Sequence, residues 1–263
     1  MSKEIEKSFN KTISSESIDL VKDYIELGLD SVISDGLLKD VPIMGTLVGL
    51  FKLGSSIKDR HTAKKILRFL NQLADIPVQE RERFASELNT EDEYHESVSE
   101  KVLLIVERLD ETKKAEIVGN LFKLYILDVI NKEYFLRLSG IVERAMLYDL
   151  LALHYTYSWF KRDWGGVQPY DFDQNTKDSL RGFGLMEQKA IPKANSAMAR
   201  LGKMELDVVI EYSINHLAQE LANFMFYDFE DSDFNNYVID YKESRKEREK
   251  YRQQPFGDQI SDD

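Results

Sequence analysis

Residues 113–130, Lys113-Lys-Ala-Glu-Ile-Val-Gly-Asn-Leu-Phe-Lys-Leu-Tyr-Ile-Leu-Asp-Val-Ile130, decide the fold class of this chain. A helical period places most of their apolar side chains in one wide stripe, and further apolar residues extend that surface around the helix. Because a helix that is apolar on nearly every side is normally buried, the stretch predicts a core helix. The stripe consists of Ile117, Val118, Leu121, Phe122, Tyr125 and Val129, and Leu124, Ile126 and Leu127 extend it.

Amphipathic patterns around this stretch predict a multi-helix bundle over residues 1–140. Five prolines and thirteen glycines in 263 residues leave room for long helices. Stop signals such as Asp35-Gly36 and Pro77 separate the helices from one another. The predicted helices cover residues 17–34, 42–58, 60–74, 78–88, 97–109, 113–130, 132–138 and 141–160.

Residues 141–226 show a different pattern and form a second predicted unit. Residues 175–183 are a predicted helix that Gly184 stops, because glycine favours a helix end. Residues 185–191 and 196–201 are short strand candidates. Helix, helix and β-hairpin in this order are typical of a winged-helix fold.

The C-terminal part of the chain returns to helical spacing over residues 203–226. Residues 227–263 follow as an acidic-aromatic segment and a charged, partly disordered tail. We therefore predict a mainly α protein, in which a multi-helix bundle is followed by a winged-helix-like module with a short β-hairpin.

Charge and composition restrict the classes of function. The chain has 35 Lys and Arg against 47 Asp and Glu, a net charge of −12, which disfavours nonspecific binding of the whole molecule to nucleic acid. The absence of cysteine excludes disulfides and thiolate chemistry. The charged start and the lack of an apolar run of about 18 residues predict a cytoplasmic protein, with peripheral contact at the inner membrane left open.

Residues 41–58, Val41-Pro-Ile-Met-Gly-Thr-Leu-Val-Gly-Leu-Phe-Lys-Leu-Gly-Ser-Ser-Ile-Lys58, contain a predicted apolar helix with patterned glycines over residues 42–58. Gly45 and Gly49 are four residues apart and therefore share one helix face. This spacing permits the close approach of another backbone and is best known from helix packing in lipid bilayers. Basic residues come directly after this segment, and they would favour binding to an anionic membrane surface. Tight packing inside the bundle is the alternative. The candidate residues for a membrane or a protein partner are Ile43, Gly45, Leu47, Gly49, Leu50, Phe51, Lys58, Arg60, Lys64 and Lys65.

Residues 177–203 form a basic segment in this acidic chain, with a local charge of +4. In a winged helix, Lys177 and Arg181 would lie on the recognition helix and Lys193 on the wing, where they could contact phosphates. Winged helices also act purely as packing or protein-interaction modules. Both DNA binding and binding of a protein partner therefore stay open for these three residues.

No motif for catalysis stands out. The histidines, His61, His95, His154 and His216, have no metal-ligand spacing. A phosphate-binding loop, a dinucleotide fingerprint and a nucleophile elbow are missing from the sequence. We therefore expect a protein without enzymatic activity, cofactor or metal, while a carboxylate site assembled from distant residues is a further alternative.

Five sets of residues are considered together: 41–52 with 57–60, 107–115 with 121–123, 133–138, Gly184-Leu185 and Leu201-Gly202-Lys203. In combination they resemble a group of bacterial proteins that occur among phage-defence and mobile-element genes, the abortive-infection alpha type. The resemblance covers residues 40–225 and implies a bacterial origin and a role in defence. Its motifs are not catalytic, so it assigns no functional residue.

Together these features suggest a non-enzymatic, abortive-infection-like antiviral effector or accessory protein that engages a membrane or a protein partner through residues 41–68. The resting protein would bury Ile43, Leu47, Leu50 and Phe51, and a trigger would release them. A protein partner or self-association is expected, a peripheral anionic membrane is a further candidate, and nucleic acid is disfavoured. The alternative is a winged-helix regulatory or adaptor protein that binds DNA or a protein.

Overall fold

The computed structural model describes residues 3–27, 37–51, 56–88, 98–163, 172–194, 206–226 and 241–247. Within these ranges the protein is mainly α-helical and has one two-stranded antiparallel hairpin, which confirms the predicted fold class. Turns of 3-10 helix lie at Glu16–Ile18 and Leu37–Asp40. The elements are α1 (Lys3–Ser14), α2 (Leu20–Leu27), α3 (Pro42–Phe51), α4 (Ile57–Asn71), α5 (Val78–Leu88), α6 (Val98–Arg108), α7 (Thr112–Ile126), α8 (Lys132–Arg144), α9 (Leu147–Asp163), α10 (Gln174–Gly182), β1 (Met186–Ala194), β2 (Leu206–Ile214), α11 (His216–Phe224) and α12 (241–247).

Helix α7 is the central helix of the core, as its sequence predicted. Every residue from 117 to 124 is buried. The ring of Phe122 lies at the centre of an aromatic cluster, and each such ring pair adds about 0.5–1.5 kcal/mol beyond the burial of its surface. Four rings from other helices lie around it, with centroid distances of 5.3–6.1 Å: Phe9 of α1, Phe69 of α4, Phe84 of α5 and Phe135 of α8. Four other helices therefore meet at the ring of Phe122.

Buried basic side chains close the C-terminal ends of several helices. Arg81 of α5 donates hydrogen bonds to the carbonyl oxygens of Ile13 and Ser15 at the end of α1, at 2.9 and 2.8 Å. Lys114 of α7 donates to the carbonyl of Glu143 at the end of α8, at 3.4 Å. The last carbonyls of a helix have no partner within the helix and bear partial negative charge, so these contacts satisfy them.

A buried carboxylate joins α9 to α10. Asp149, in the first turn of α9, accepts hydrogen bonds from the hydroxyls of Thr176 and Ser179 of α10, at 3.1 and 2.5 Å. Asp173 caps α10 by accepting from the backbone N–H of Thr176 at 2.9 Å. Helix α10 ends before Gly184, whose φ of 71° confirms the predicted stop.

The second strand of the hairpin lies where a helix was predicted. The prediction of one helix over residues 203–226 is wrong in its first half, because β2 occupies residues 206–214. Val208, Val209 and Ile210 are β-branched, and such side chains favour an extended backbone. Asn215 then caps α11 with its side chain, so the second half of the predicted helix is helical.

Other boundaries also differ from the predictions. Helix α8, predicted to end at residue 138, continues to Arg144, and α9 begins at Leu147 instead of residue 141. The reason is Ala145, whose extended backbone separates the two helices. The predicted strand at 196–201 and the predicted disordered tail lie outside the described residues.

Candidate partner-binding surfaces

The glycine-patterned helix α3 turns its large apolar side chains inward. Ile43, Met44 and Leu47 are buried, and α3 packs on α1. The backbone N–H of Ile43 donates to the hydroxyl of Thr12 in α1 at 2.9 Å. Leu50 and Phe51, the other two residues predicted for this face, belong to α3, but the structure does not describe their side chains.

The two glycines of α3 have different surroundings. A Cβ added at Gly45 would lie 3.0 Å from the carbonyl oxygen of Lys39, in the turn just before the helix. A Cβ added at Gly49 would meet no described atom within 4 Å. Within the described part of the chain, the glycine spacing therefore serves a local close approach at Gly45 and not a contact with a second helix.

The predicted helix over residues 42–58 is interrupted before the basic segment. Ser56 has an extended backbone and forms a capping box with Asp59, which starts α4. The apolar helix and the basic residues thus belong to separate elements. Ile57, the first residue of α4, is 88% exposed, and Lys58 beside it is also exposed.

The remaining basic candidates of α4 divide into surface and core residues. Arg60 is exposed and Lys64 is partly exposed. Lys65 is buried, which corrects its assignment to a membrane or partner surface. Its ammonium donates to the carbonyl oxygen of Leu109 at 2.7 Å and to that of Glu107, so it closes the end of α6. Burial holds the pKa of Lys65 below its ordinary value.

The basic candidates of the predicted winged-helix-like module each have a local partner. The ammonium of Lys177 lies 5.6 Å from the centroid of the Tyr212 ring. Arg181 pairs with Asp178 of the same helix at 3.4 Å, and Lys193 of β1 pairs with Glu211 of β2 at 3.5 Å. Because the nearby carboxylates reduce the local positive potential, this surface is a weaker phosphate site than its sequence suggested.

Helix α9 has an apolar stripe on its outer side that the sequence analysis did not identify as a surface. Tyr148 and Tyr155, two helical turns apart, are 67% and 65% exposed. Leu151 and Ala152 lie between them and are partly buried. We call these four residues the α9 face. Their spacing of three, four and seven residues is that of a helix which packs against another apolar surface.

The hairpin has a second exposed apolar surface. Leu206, Val208 and Ile210 alternate along β2 and therefore lie on one side of the ribbon. They are 62%, 68% and 42% exposed. We call these three residues the β2 stripe. Exposed apolar side chains that occur singly are ordinary, but a contiguous set of them indicates an interaction site.

Buried polar groups in the described core hold helices together. Glu220 of α11 accepts a hydrogen bond from the hydroxyl of Tyr134 of α8, and its other oxygen lies 3.3 Å from Nδ1 of His216. Both oxygens are engaged, so the carboxylate fixes α11 on α8. Among the described residues, His, Cys, Asp and Glu form no group of three placed to hold a metal ion.

A small cleft between α5 and α7 measures about 110 Å³ and is lined by Arg83, Phe84, Glu87 and Tyr125, among others. Ligand pockets normally measure about 300–1,000 Å³, so this cleft is small for an organic substrate.

The chain matches no protein-family model, no curated protein and no solved structure. Across the ranges that the structure describes, no helix combines the length and the apolar character needed to cross a bilayer. The surfaces described above are therefore the basis for any functional assignment.

Proposed function

We propose that this chain is a non-enzymatic protein that acts by binding a protein partner through the α9 face. One observation carries the proposal: α9 is apolar on both its inner and its outer side, yet Tyr148 and Tyr155 on the outer side are two-thirds exposed. A helix of this composition is normally covered on all sides. The partner would supply the missing cover with an apolar surface of its own.

The residue types support this role. Tyrosine is enriched at the centres of protein interfaces, because its ring supplies contact area and its hydroxyl stays solvated. The α9 face is also fixed in position, since Asp149 and His154 of the same helix are hydrogen-bonded. His154 Nδ1 lies 2.8 Å from the carbonyl oxygen of Ala222 in α11. A rigid surface loses little conformational freedom on binding.

The proposed setting is phage defence in a bacterium, as the resemblance to abortive-infection alpha proteins implies. In this setting the partner is a phage or host protein whose binding starts the response. A protein that acts by binding alone would serve as an effector or accessory protein of this kind.

A variant with two new charges on the α9 face tests the proposal. Full burial of one large apolar side chain contributes about 1.5–3 kcal/mol. The double substitution Tyr148→Glu/Tyr155→Glu should therefore reduce partner affinity by at least about 100-fold. The matched control is Gln79→Glu/Ser86→Glu, since these exposed residues of α5 are also seven apart.

Plaque counts on bacteria that express each variant provide the readout. We expect the tyrosine variant to lose phage protection while it keeps the thermal stability of the wild type, and the α5 control to protect fully. Equal protection by both variants would refute the proposed role of the α9 face.

Membrane binding at the start of α4 is a second candidate, favoured by the 88% exposure of Ile57 next to Lys58 and Arg60. An exposed aliphatic side chain beside cations suits the interface of an anionic bilayer. Flotation with phosphatidylglycerol vesicles should recover the wild type but not Ile57→Ser/Lys58→Glu. Equal recovery with neutral phosphatidylcholine vesicles, or none with either lipid, would eliminate this candidate.

DNA binding by the winged-helix-like module is the alternative with the least support, given the local partners of its cations. If it were correct, Lys177→Ala/Arg181→Ala would abolish salt-dependent binding to duplex DNA. Unchanged binding by this variant would reject a DNA interface at α10.

A further inference from the structure

The hairpin has one apolar side that is covered at its base and bare further out. At the base, Met186 is buried, and the hydroxyl of Tyr212 accepts a hydrogen bond from Gln174 of α10 at 2.9 Å. The same side continues into Ile210, Val208 and Leu206, the β2 stripe, which are exposed. A two-stranded ribbon is marginally stable by itself, so its bare part is suited to a further contact.

The two edges of the ribbon are not equivalent. Pro192 of β1 pairs with Val208 of β2, and proline has no backbone N–H. In a sheet, proline places its missing donor toward the open edge, so it blunts the edge of β1. Among the described residues, no strand other than β1 pairs with β2. Because inward and outward backbone groups alternate along an antiparallel strand, the backbone groups of Leu206, Val208 and Ile210 then point away from β1, toward the other edge of β2. The edge of β2 can therefore accept another strand.

We propose that this edge binds β2 of a second copy of the chain, antiparallel, with the two Ile210 residues opposite each other at a two-fold axis. The product is a four-stranded sheet in the order β1, β2, β2 of the partner, β1 of the partner. Because the two-fold axis is perpendicular to the sheet, the apolar sides of the two hairpins lie on the same face of the four-stranded sheet. Val208 then faces Tyr212 of the partner subunit, and Leu206 faces Ile214 of the partner subunit.

The charges of β2 favour a second copy in this register. When Ile210 is at the axis, all nine residues of β2 are paired, Asp207 lies opposite serine and Glu211 lies opposite valine. A shift of the axis to residue 209 would place Asp207 opposite Glu211, and a shift to 211 would place Glu211 opposite itself. Like charges directly opposite destabilise a strand pair.

The carboxylates of β2 are also balanced inside each hairpin, which lets the two edges approach. In the strand register Lys193 lies opposite Asp207 and Lys189 lies opposite Glu211, and the ammonium of Lys193 pairs with Glu211 at 3.5 Å. The hairpin therefore presents a nearly neutral edge and an apolar side. The same edge of a second copy has the same properties, so the two edges are complementary to each other. Nucleic acid, which needs a basic surface, does not fit this chemistry.

Cysteine placement in this cysteine-free chain tests both the dimer and its register. Two residues that face each other across an antiparallel pair have Cα atoms about 4.5–5.5 Å apart, within reach of a disulfide. Ile210→Cys should therefore form a disulfide-linked dimer under mild oxidation. Leu206→Cys is the control, because its two copies would lie about 27 Å apart, eight residues along the strands.

The outcomes separate the specific dimer from general stickiness. Leu206 is more exposed than Ile210, so random contacts would link Leu206→Cys at least as well. Equal linkage of both variants, or none for Ile210→Cys, would overturn the proposal. Sedimentation velocity supplies a second test: Ile210→Lys and Ile210→Glu should each be monomeric and should dimerise when mixed. Failure of the mixture to dimerise would also overturn it, and neither test depends on the α9 face.

Discussion

Gly119 offers the sharpest test of how the core is packed. It lies on α7 against α4, where an added Cβ would be 2.7 Å from the carbonyl oxygen of Phe69 and 2.8 Å from the side chain of Gln72. Alanine inside a helix is favoured over glycine by about 1 kcal/mol. Forcing a methyl group into a filled core costs about 1–3 kcal/mol, and here it meets backbone that cannot easily move. This backbone contact places the cost in the upper part of that range, about 2–3 kcal/mol. The free energy of unfolding of Gly119→Ala should therefore fall by about 1–2 kcal/mol net.

Gly140→Ala is the matched control for this prediction. Gly140 is also inside a helix, α8, but a Cβ there would meet no described atom within 4 Å. This variant should gain up to about 1 kcal/mol from helix propensity alone. By calorimetry, the Tm of the two variants should move in opposite directions, by about 2–4 °C per kcal/mol. A Tm of Gly119→Ala at or above that of Gly140→Ala would refute the close approach of α4 and α7.

Three further perturbations test other parts of the structure. Gly45→Ala should lower the Tm slightly, because the new Cβ would lie close to the carbonyl oxygen of Lys39. Gly49→Ala should raise the Tm, because alanine is the better helix former and its Cβ meets no described atom. A lower Tm for Gly49→Ala would instead indicate a packed glycine face. Lys65→Met should lower the free energy of unfolding, measured in urea, by about 1–3 kcal/mol, because the carbonyls of Glu107 and Leu109 at the end of α6 lose their donor. An unchanged urea midpoint would contradict that role. Burial, and then a hydrogen bond to Asp40, raise the pKa of Tyr24 to about 12 from 10.0. The contribution of the protonated Tyr24 hydroxyl to stability is thus complete below pH 10 and is lost as the pH rises toward 12. The difference in free energy of unfolding between the wild type and Tyr24→Phe should therefore shrink between pH 10 and pH 12, and a constant difference would contradict this.

The sequence predicted the helical core well, because local pattern alone identifies it. Helix α7 is apolar on nearly every side, and such a helix has few options besides the interior. The stop at Gly184 is a local signal of the same kind. The capping box of Ser56 and Asp59 is equally local, but it was missed, and the helix predicted over residues 42–58 was therefore too long. These features depend on neighbours in the sequence and need no knowledge of the tertiary structure.

The strand β2 was missed because two periods coincide in it. Leu206 and Ile210 are four residues apart, which places them on one side of a helix and equally on one side of a strand. The neighbouring Val208 and Val209 were the available signal, since β-branched residues favour strands. The spacing of Leu206 and Ile210 is compatible with a helix, whereas the β-branched side chains between them indicate the strand that forms.

The functional surfaces could be predicted only in part, because they depend on distant contacts. Lys65 looked like a surface cation, but its carbonyl partners lie 42 and 44 residues away in the sequence. Tyr148 and Tyr155 lie in the helix predicted over residues 141–160, and nothing in the local pattern shows which side of that helix remains uncovered. Exposure at these positions is decided by the packing of α10 and α11.

The central claim, that the α9 face binds a protein, is tested most directly by crosslinking in the cell. A photo-crosslinking amino acid at position 155 should join the chain to one discrete protein during phage infection. The same amino acid at position 79 of α5 should not, and adding Tyr148→Glu should abolish the product at position 155. Crosslinking at position 155 that is no stronger than at position 79, or that survives Tyr148→Glu, would contradict the claim.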